Sequence, residues 1–367
     1  MIDNKNISIL VFLPNLLVGG AEETTLKLVD YLAKHNYKVN LVVATNKISS
    51  VYEIPKNINY INLENKRLLT SFFQAYKVIK NLNPDLVFST LWYSNLFVVF
   101  ICSILGKKCV IREAGLDYRS GVGFSKKIFK LLSLLLYRRA DKIIAISNSL
   151  KENLHEQLKI KNEKIQTIYN PVESYIDRKK LENINLKKYF QNTSDKTIIA
   201  ISAIRFDEIK YSNNLFLAIK NIEEEDVRLL FVGEGHKRDD IKKFLVDNDI
   251  DDKVTLLDWQ KNIHSFIYSS DLYVSSSKYE GLGNAYLAAQ LLQKKCLSSK
   301  VPASIEINSI FRNGDSFKDE IEDMVNKIIY TIRQPEKISS LPKQTVSLFE
   351  EEFCFDKYCK IFSKVSN

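Results

Sequence analysis

The segment "DLYVSSSKYEGLGNAYLAAQ", residues 271–290, joins a short apolar run to an apolar helical run through a turn that contains Glu280. The pattern predicts a strand over 271–277 and a helix over 283–294. A helix that starts behind a strand offers unpaired backbone amides to a ligand. Those amides belong to Gly281, Leu282, Gly283 and Asn284. We expect Glu280 to accept hydrogen bonds from ligand hydroxyl groups or to balance positive charge; the alternative is that it only caps the turn.

Short apolar runs alternate with longer amphipathic segments along the chain, the pattern of βα units that form parallel sheets. In the first half the predicted strands are 8–14, 39–45, 86–90, 109–113 and 142–147. The second half repeats the pattern, with predicted strands at 197–203, 228–233, 254–258, 271–277 and 295–300 and helices near 212–223, 236–247, 283–294 and 319–333. We therefore expect an α/β fold of two doubly wound, Rossmann-like domains that face each other across a ligand cleft at the carboxyl ends of both sheets.

The domain boundary is expected where this periodic pattern stops. Asn170 and Pro171 are followed by a charged, poorly periodic stretch, so the N-terminal domain is predicted to cover 1–172 and the C-terminal domain 173–345. The last segment, 346–367, is amphipathic again. We expect it to form a helix that packs back on the N-terminal domain.

Composition agrees with two compact domains in a cytoplasmic protein. The 367 residues suffice for two cores, and 45% of them are hydrophobic. Five cysteines without a CxxC spacing indicate reduced core thiols. The N-terminus lacks a secretory signal pattern. The most apolar run, 96–106, is about half the roughly 20 residues that cross a bilayer, so a buried helix is expected there.

The net charge of +9 suits three kinds of anionic partner: nucleic acid, a membrane surface or an anionic substrate. The cations are spread along the chain without a recognisable nucleic-acid module, so no nucleic-acid partner is expected. One segment, 124–142, is helical in period, apolar, and basic at both ends. It is either a domain helix with solvated basic flanks or a peripheral contact with the inner face of the cell membrane.

Two cations follow the predicted strand 197–203. Arg205 and Lys210 are expected at the carboxyl end of that strand, where a forked guanidinium and a point charge suit a diphosphate. The alternative is a pair of surface cations beside Asp207 and Glu208.

Two glycine turns are further candidates for ligand contact, although either can be a plain turn. One contains Gly19 and Gly20, and the other contains Gly233, Glu234 and Gly235. Glycine lets the backbone approach a ligand closely, but both turns lack the third glycine of a dinucleotide fingerprint, so NAD is not expected. The aspartates of 247–252 do not follow a calcium-loop pattern and are predicted to lie in a solvated loop, so no metal site is expected.

Several segments taken together resemble the retaining glycosyltransferases of family 4, which have the GT-B fold of two Rossmann-like domains. In chain order these segments are "GGAEETTLKLVDYLAKHNYKVNLV", "NPDLVFST", "ADKIIAISNSLKENL", "IYNPVE", "RFDEIK", "LLFVGEGHKRDDIKKFL" and "SSDLYVSSSKYEGLGNAYLAAQ". Their order and spacing extend the resemblance over nearly the full chain.

The resemblance implies transfer of a sugar from a nucleotide-sugar donor, with a UDP-sugar expected, to a lipid-linked or polysaccharide acceptor with retention of configuration. It also implies that no metal cofactor is needed and that the product is a capsule, exopolysaccharide or lipopolysaccharide. The N-terminal domain would bind the acceptor and the C-terminal domain the donor. Arg205 and Lys210 would hold the diphosphate, and Glu280 would meet the donor sugar. The remaining donor contacts would come from Gly19, Gly20, Gly233, Glu234, Gly281, Leu282, Gly283 and Asn284.

The sequence departs from the family pattern at three places, one of which is the missing glycine turn after the helix, where the chain reads "QLLQKKCLSS". The family motif has a second glutamate, which holds the ribose, where this chain has Ala288; that loss is expected to weaken nucleotide binding by about 1–3 kcal/mol. Many members have an N-domain histidine near the donor sugar, whereas "VIREAGLDYR" offers Arg112 and Glu113, which become candidates for the acceptor side. The alternative function is therefore a catalytically impaired GT-B partner subunit of a glycosylation complex. A third is another GT-B enzyme, such as a sugar-nucleotide epimerase.

Overall fold

The computed structural model describes residues 7–17, 19–115, 124–335 and 341–366, with the backbone alone for residues 124–128 and 175. The chain forms two compact units. The first comprises Met1–Pro171 together with Glu351–Asn367, and the second comprises Val172–Glu350.

The first unit is built on a parallel seven-stranded sheet in the order β3-β2-β1-β4-β5-β6-β7. Its strands are β1 (Ser8–Leu13), β2 (Lys38–Thr45), β3 (Asn59–Asn65), β4 (Leu86–Thr90), β5 (Cys109–Glu113), β6 (Lys142–Ala145) and β7 (Ile165–Thr167). Its helices are α1 (Gly20–Lys34), α2 (Phe72–Leu82), α3 (Trp92–Leu105), α4 (Phe124–Leu136) and α5 (Asn148–Leu158), with α13 (Glu351–Ser366) at the C-terminus. Residues 9–13 of β1 are fully buried, because helices cover both faces of a parallel sheet and its central strands become continuous apolar runs.

The second unit repeats this plan with a parallel six-stranded sheet in the order β10-β9-β8-β11-β12-β13. Its strands are β8 (Ile198–Ala203), β9 (Val227–Val232), β10 (Val254–Leu257), β11 (Leu272–Ser275), β12 (Lys295–Ser299) and β13 (Gly314–Phe317). Its helices are α6 (Asn213–Asn221), α7 (Arg238–Asp247), α8 (Ile263–Ser269), α9 (Asn284–Leu291), α10 (Pro302–Phe311), α11 (Ile321–Arg333) and α12 (Lys343–Ser347). Each unit is therefore a doubly wound α/β layer structure.

Helix α13 packs on the first sheet, although it lies at the far end of the sequence. The ring centroid of Phe88 on β4 lies 5.3 Å from that of Phe362 and 5.9 Å from that of Tyr358. The Tyr31 hydroxyl donates a hydrogen bond of 2.8 Å to Asp356 at the surface of the same helix. These aromatic contacts explain why the C-terminal helix belongs to the first unit.

The residues just before α13 belong to the second unit. Phe349 is buried, its ring stacks on Phe311 at 5.5 Å, and its carbonyl oxygen accepts a hydrogen bond of 3.0 Å from the Glu173 amide. The structural division therefore falls after residue 350, whereas the sequence pattern placed it after residue 345.

Three strands, β3, β7 and β13, are missing from the sequence prediction. All three lie at sheet edges, where one side of the strand has no neighbour. The sequences NYINLEN, IQT and GDSF are only partly buried and contain polar residues. An edge strand therefore lacks the continuous apolar run that identifies a central strand.

The apolar run 96–106 forms most of α3, and most of its side chains are buried, as predicted. Among the residues that the structure describes, no helix is both long and apolar enough to cross a membrane.

Replacing Phe362 with alanine tests the docking of α13. Loss of the buried ring is expected to lower the free energy of unfolding of the first unit by about 3–5 kcal/mol, as for other large core deletions. Phe353→Ala on the exposed side of the same helix is the matched control, expected to cost less than about 1 kcal/mol. Urea denaturation measures both, and equal losses would show that α13 does not pack as described.

Candidate active site

The candidate site lies where the second sheet changes its direction of growth. Strand β8 pairs with β9 on one side and with β11 on the other, so the loops after β8 and β11 leave the sheet in opposite directions. Open α/β sheets bind ligands outside the carboxyl ends of the strands at such a switch point. Arg205 and Lys210 follow β8 and Glu280 follows β11, so the topology brings these three predicted residues to one edge.

Lys210 and Glu280 form an ion pair across the switch point. Lys210 Nζ lies 2.7 Å from Glu280 Oε2 and 3.3 Å from the carbonyl oxygen of Tyr279. The lysine side chain is 20% exposed and the glutamate 16%, so the pair is mostly shielded but keeps an opening to solvent. The alternative of two surface cations beside Asp207 and Glu208 does not describe Lys210, but it does describe Arg205, which is 65% exposed and paired with Asp207.

Backbone and serine contacts fix this pair. The amides of Lys278 and Tyr279 donate hydrogen bonds of 2.9 and 3.2 Å to the carbonyl oxygen of Ile209. The Ser277 hydroxyl lies 2.7 Å from Glu280 Oε1 and 2.9 Å from the Lys210 carbonyl oxygen. The two loops are thus tied to each other, which preorganises both charges. Ser277 is a contact that the sequence pattern did not single out, because a serine run is also common in turns.

Arg205 is held differently from Lys210. Its Nε donates a hydrogen bond of 2.8 Å to Asp207 Oδ2, while the arginine side chain is 65% exposed. Asp207 is buried, and its other oxygen accepts a hydrogen bond of 3.1 Å from the Ile209 amide. Asp207 therefore orients the Arg205 guanidinium and shapes the loop at the same time.

The Gly233–Gly235 turn packs closely against the loop that contains Arg205. A Cβ added to Gly233 would lie 1.8 Å from the carbonyl oxygen of Ile204, and one added to Gly235 would lie 2.2 Å from that of Phe206. The Glu234 carbonyl accepts a hydrogen bond of 2.8 Å from the Phe206 amide. Both glycines thus allow close approach of the neighbouring loop; their contact with a donor stays a prediction.

An exposed cluster of charged side chains links the loop after β8 to the loop after β9. Glu208 lies 3.1 Å from Lys237 Nζ and 3.3 Å from His236 Nε2. A backbone hydrogen bond and the Lys237 ammonium lower the pKa of Glu208 to about 2. Glu208 is therefore ionised throughout the ordinary pH range and is paired with His236 and Lys237, the two residues that follow the Gly233–Gly235 turn.

The turn after Glu280 begins α9 in the way the sequence predicted. Gly283 has a φ of +80°, a left-handed conformation that favours glycine, and Asn284 starts the helix. Gly281 and Leu282 are buried, so Leu282 contributes packing with its side chain. Ala288, one turn along, is buried in the helix and offers a methyl group where the family motif has a carboxylate.

A buried polar network holds α9 in place. The Tyr286 hydroxyl lies 2.5 Å and Gln290 Nε2 3.1 Å from Asn308 Oδ1 on α10. Asn308 Nδ2 donates a hydrogen bond of 3.1 Å to the Ser316 hydroxyl on β13. Gly314 completes the arrangement, because a Cβ there would lie 2.2 Å from Asn308 Oδ1. The helix behind Glu280 is thereby fixed to two neighbouring elements.

In the first unit, Gly19 and Gly20 follow β1, which is the switch point of that sheet because β1 pairs with β2 and β4. The Tyr52 hydroxyl accepts a hydrogen bond of 2.9 Å from the Gly19 amide and lies 3.0 Å from its carbonyl oxygen. Burial raises the pKa of Tyr52 to about 12, so the hydroxyl keeps its proton. The sequence did not predict this contact, because Tyr52 lies in a loop that has no hydrophobic periodicity.

Arg112 and Glu113, the candidates for the acceptor side, are both buried at the end of β5. Arg112 donates hydrogen bonds of 3.1 Å to Thr90 and 2.6 Å to Asn170, and Glu113 accepts a short one from the Tyr137 hydroxyl. These contacts give both residues a structural role within the first unit. Their role toward an acceptor stays a prediction, and residues 116–123, which follow them, lie outside the described ranges.

The site has the charges for an anionic, hydroxyl-bearing ligand. Arg205 and Lys210 can contact phosphate oxygens, and the Glu280 carboxylate paired with Lys210 can accept hydrogen bonds from hydroxyl groups. Within the described ranges, no group of three His, Cys, Asp or Glu residues is arranged to hold a metal ion.

Gly233→Ala tests whether the glycine turn sets the position of the Arg205 loop. The added Cβ must displace the Ile204 carbonyl, so we expect a loss of about 3 kcal/mol in unfolding free energy and faster amide exchange over residues 204–210. Gly106→Ala is the matched control: its φ is +63° but its Cβ would meet nothing within 4 Å. It should cost about 1–2 kcal/mol and leave exchange at 204–210 unchanged. Similar exchange in both variants would contradict the assignment.

Comparison with known proteins matches both halves of the chain to glycosyltransferase families. The family "Glycosyltransferase Family 4" matches residues 18–174, and "Glycosyl transferases group 1" matches residues 184–345. An N-acetylgalactosamine-N,N'-diacetylbacillosaminyl-diphospho-undecaprenol 4-alpha-N-acetylgalactosaminyltransferase from Campylobacter jejuni is 27% identical over 293 residues, which are 76% of each chain. A UDP-Gal:alpha-D-GlcNAc-diphosphoundecaprenol alpha-1,3-galactosyltransferase from Escherichia coli is 22% identical over 86% of this chain and 85% of its own.

A solved glycosyltransferase structure from Rickettsia africae superposes with a TM-score of 0.73 at 18% identity and covers 99% of both chains. Two parallel-sheet α/β units and this similarity identify the GT-B fold. The chain therefore belongs to the glycosyltransferases of family 4.

Proposed function

We propose that this glycosyltransferase moves a sugar from a UDP-sugar to a lipid-diphosphate-linked saccharide, with retention of configuration, in the synthesis of a cell-surface glycan. The observation that supports this most is the Lys210–Glu280 pair beside Arg205 at the switch point of the second sheet. Such an edge is where α/β folds bind nucleotides. The relatives whose names include diphospho-undecaprenol and UDP-Gal support the acceptor and donor classes.

In this proposal Arg205 and Lys210 contact the donor diphosphate. The bond between the anomeric carbon and the diphosphate oxygen breaks, and negative charge accumulates on the leaving nucleotide. Two preorganised cations stabilise that charge, so the reaction is proposed to need no metal ion. Lys210 exchanges part of its contact with Glu280 for the diphosphate, and the carboxylate becomes available to donor hydroxyls.

Retention is proposed to follow from attack on the face that the nucleotide leaves. The acceptor oxygen forms a bond to the anomeric carbon through an oxocarbenium-like transition state, and its proton passes to the departing diphosphate. Glu280, 2.7 Å from Lys210 Nζ, is proposed to accept hydrogen bonds from the sugar hydroxyls and to oppose positive charge on the sugar ring.

Contact with the membrane is proposed for the first unit. Exposed apolar side chains on the 3₁₀ turn before α2 and on α2, α3 and α4 form what we term the α2–α4 patch; Leu69 is 80% and Phe73 76% exposed. The other members are Phe100, Ile104, Phe129, Leu131, Leu132 and Leu135. Helix α3 contacts both α2 and α4. The ring centroid of Phe100 lies 5.9 Å from that of Phe72, and the ring centroid of Trp92 lies 5.0 Å from that of Phe129.

Basic residues border the α2–α4 patch. Lys77 and Lys80 follow Phe73 at helical spacing on α2, and Arg138 and Arg139 follow the end of α4; all four are exposed. Apolar side chains flanked by cations suit the surface of an anionic bilayer, and such a contact would bring the enzyme to a lipid-linked acceptor. The proposed contact therefore includes two helices beyond the candidate segment 124–142.

The alternative, a partner subunit without transfer activity, has one observation in its favour. Ala288 is buried and provides no hydrogen-bond acceptor where the family motif has its second glutamate. The two functions differ in whether a bound donor is turned over.

Replacing either cation tests the proposed chemistry. With a panel of UDP-sugars and an undecaprenyl-diphosphate-linked saccharide, Arg205→Ala and Lys210→Ala should each lower kcat by about 10²–10³-fold. Lys327→Ala, which removes a lysine paired at 2.5 Å with Asp315 in the same unit, is the matched control and should keep wild-type turnover. Nucleotide release is the measurement. Wild-type rates in both site variants would refute the diphosphate assignment, and UDP binding without any turnover would favour the partner subunit.

Cosedimentation with vesicles tests the membrane contact. Vesicles containing phosphatidylglycerol should retain the protein, and the double variant Phe73→Ser and Leu131→Ser should weaken retention by about tenfold through loss of two buried apolar side chains. Val246→Ser replaces an exposed apolar side chain on the second unit and should have no effect. Equal retention of the double variant and the control, or no retention of the wild type, would contradict this contact.

A further inference from the structure

A separate cavity of about 810 Å³ opens at the amino-terminal edge of the second sheet. Asp271, Lys295 and Gly314 line it at the starts of β11, β12 and β13. Glu280 and Lys210 lie at the carboxyl edge of the same sheet, so this cavity is distinct from the candidate active site. Its volume falls in the range of sites that enclose a small ligand or a segment of a longer one.

The charges that line the cavity are of both signs. The cations are Arg178, Lys294, Lys295 and Arg312. Asp271 accepts a hydrogen bond of 2.7 Å from the Ile199 amide, and Asp315 is paired with Lys327. The C-terminal ends of α8, α9, α10 and α11 also face this edge, and their carbonyl groups contribute partial negative charge. Arg178 is itself paired with Glu173 at 3.1 Å, and Lys294 donates a hydrogen bond of 2.9 Å to the Tyr268 carbonyl oxygen. Much of the cationic charge is therefore already engaged, which disfavours a phosphate or another strong anion as the ligand.

Hydrogen-bond donors nevertheless remain available. Lys295 Nζ donates to the Ile332 carbonyl at 2.7 Å and has two further protons. The guanidinium of Arg312 makes neither a hydrogen bond nor an ion pair with any other residue in the described part of the chain. Four carboxamides add donors and acceptors: Asn183, Gln293, Asn313 and Gln334.

Two of these lining residues adopt a costly backbone conformation. Gln293, two residues after the end of α9, has a φ of +58°, and Arg312, directly after α10, has a φ of +54°; glycine is common at such helix ends. Glycine at either place would remove the strain but would also remove a long polar side chain from the cavity wall.

Aromatic rings complete the lining. Tyr330 on α11 is 60% exposed, and Tyr268 at the end of α8 is also exposed, with Lys294 Nζ 5.9 Å from its ring centroid. Exposed tyrosine faces pack against the apolar faces of sugar rings, while carboxamides and cations hydrogen-bond to sugar hydroxyls.

We propose that this cavity binds a segment of an uncharged oligosaccharide, with sugar rings against Tyr330 and hydroxyl groups on Arg312, Lys295 and the carboxamides. A glycan held here would be retained by the enzyme at a distance from the transfer site. Binding requires no transfer, so it can be tested whether or not the proposed donor and acceptor are correct.

The test is calorimetric titration of the full chain with neutral oligosaccharides of glucose, galactose and N-acetylhexosamines, three to six sugars long. We expect at least one to bind with a millimolar Kd, and UDP or inorganic phosphate in excess should not displace it. Tyr330→Ala should weaken binding by about three- to tenfold. Phe73→Ala removes a similarly exposed ring from the first unit and should leave binding unchanged.

The sharper variant is the double replacement Gln293→Gly and Arg312→Gly. It should raise thermal stability by relieving two left-handed positions, and yet weaken oligosaccharide binding by about tenfold through lost hydrogen bonds to charged and amide groups. Loss of binding with a gain in stability cannot result from unfolding. Absence of binding across the panel, displacement by UDP or phosphate, or wild-type affinity in the double variant would overturn the proposal.

Discussion

The ion pair between Lys210 and Glu280 is the contact on which the candidate site depends. It joins the loop after β8 to the loop after β11, at the one place in the second sheet where neighbouring strands send their loops in opposite directions. A cation and a carboxylate placed 2.7 Å apart neutralise each other at rest. Both are thereby held, partly shielded from water, in positions where an incoming diphosphate and a sugar hydroxyl can take over the contacts.

The surrounding structure maintains that arrangement through close backbone packing. Glycine at 233 and 235 lets the β9 loop support Arg205, and Asp207 orients the guanidinium from inside the core. Behind Glu280, the network around Asn308 fixes α9 to two neighbouring elements. The rigid parts of the site are therefore built by main-chain contacts and buried polar groups, while the charged ends stay accessible.

Much of this could be predicted from the sequence, for identifiable reasons. Central strands such as β1 and β11 are continuous apolar runs because both sheet faces are covered, and their loops place Arg205, Lys210 and Glu280 at one edge. The edge strands β3, β7 and β13 escaped prediction because half-exposed backbone tolerates polar side chains. The contacts of Ser277 and Tyr52 were not predicted, because they are tertiary hydrogen bonds, which leave no periodic pattern in the sequence. The burial of Arg112 and Glu113 likewise depends on partners distant in sequence, Asn170 and Tyr137.

The most direct measurement is a crystal structure of the protein with bound UDP. We expect the diphosphate at the carboxyl edge of the second sheet, with Lys210 Nζ and the Arg205 guanidinium each about 3 Å from phosphate oxygens. We also expect the Lys210–Glu280 distance to lengthen as the lysine turns to the ligand. A diphosphate bound elsewhere, or one bound at this edge with both cations left in their present contacts, would contradict the proposed role of the ion pair.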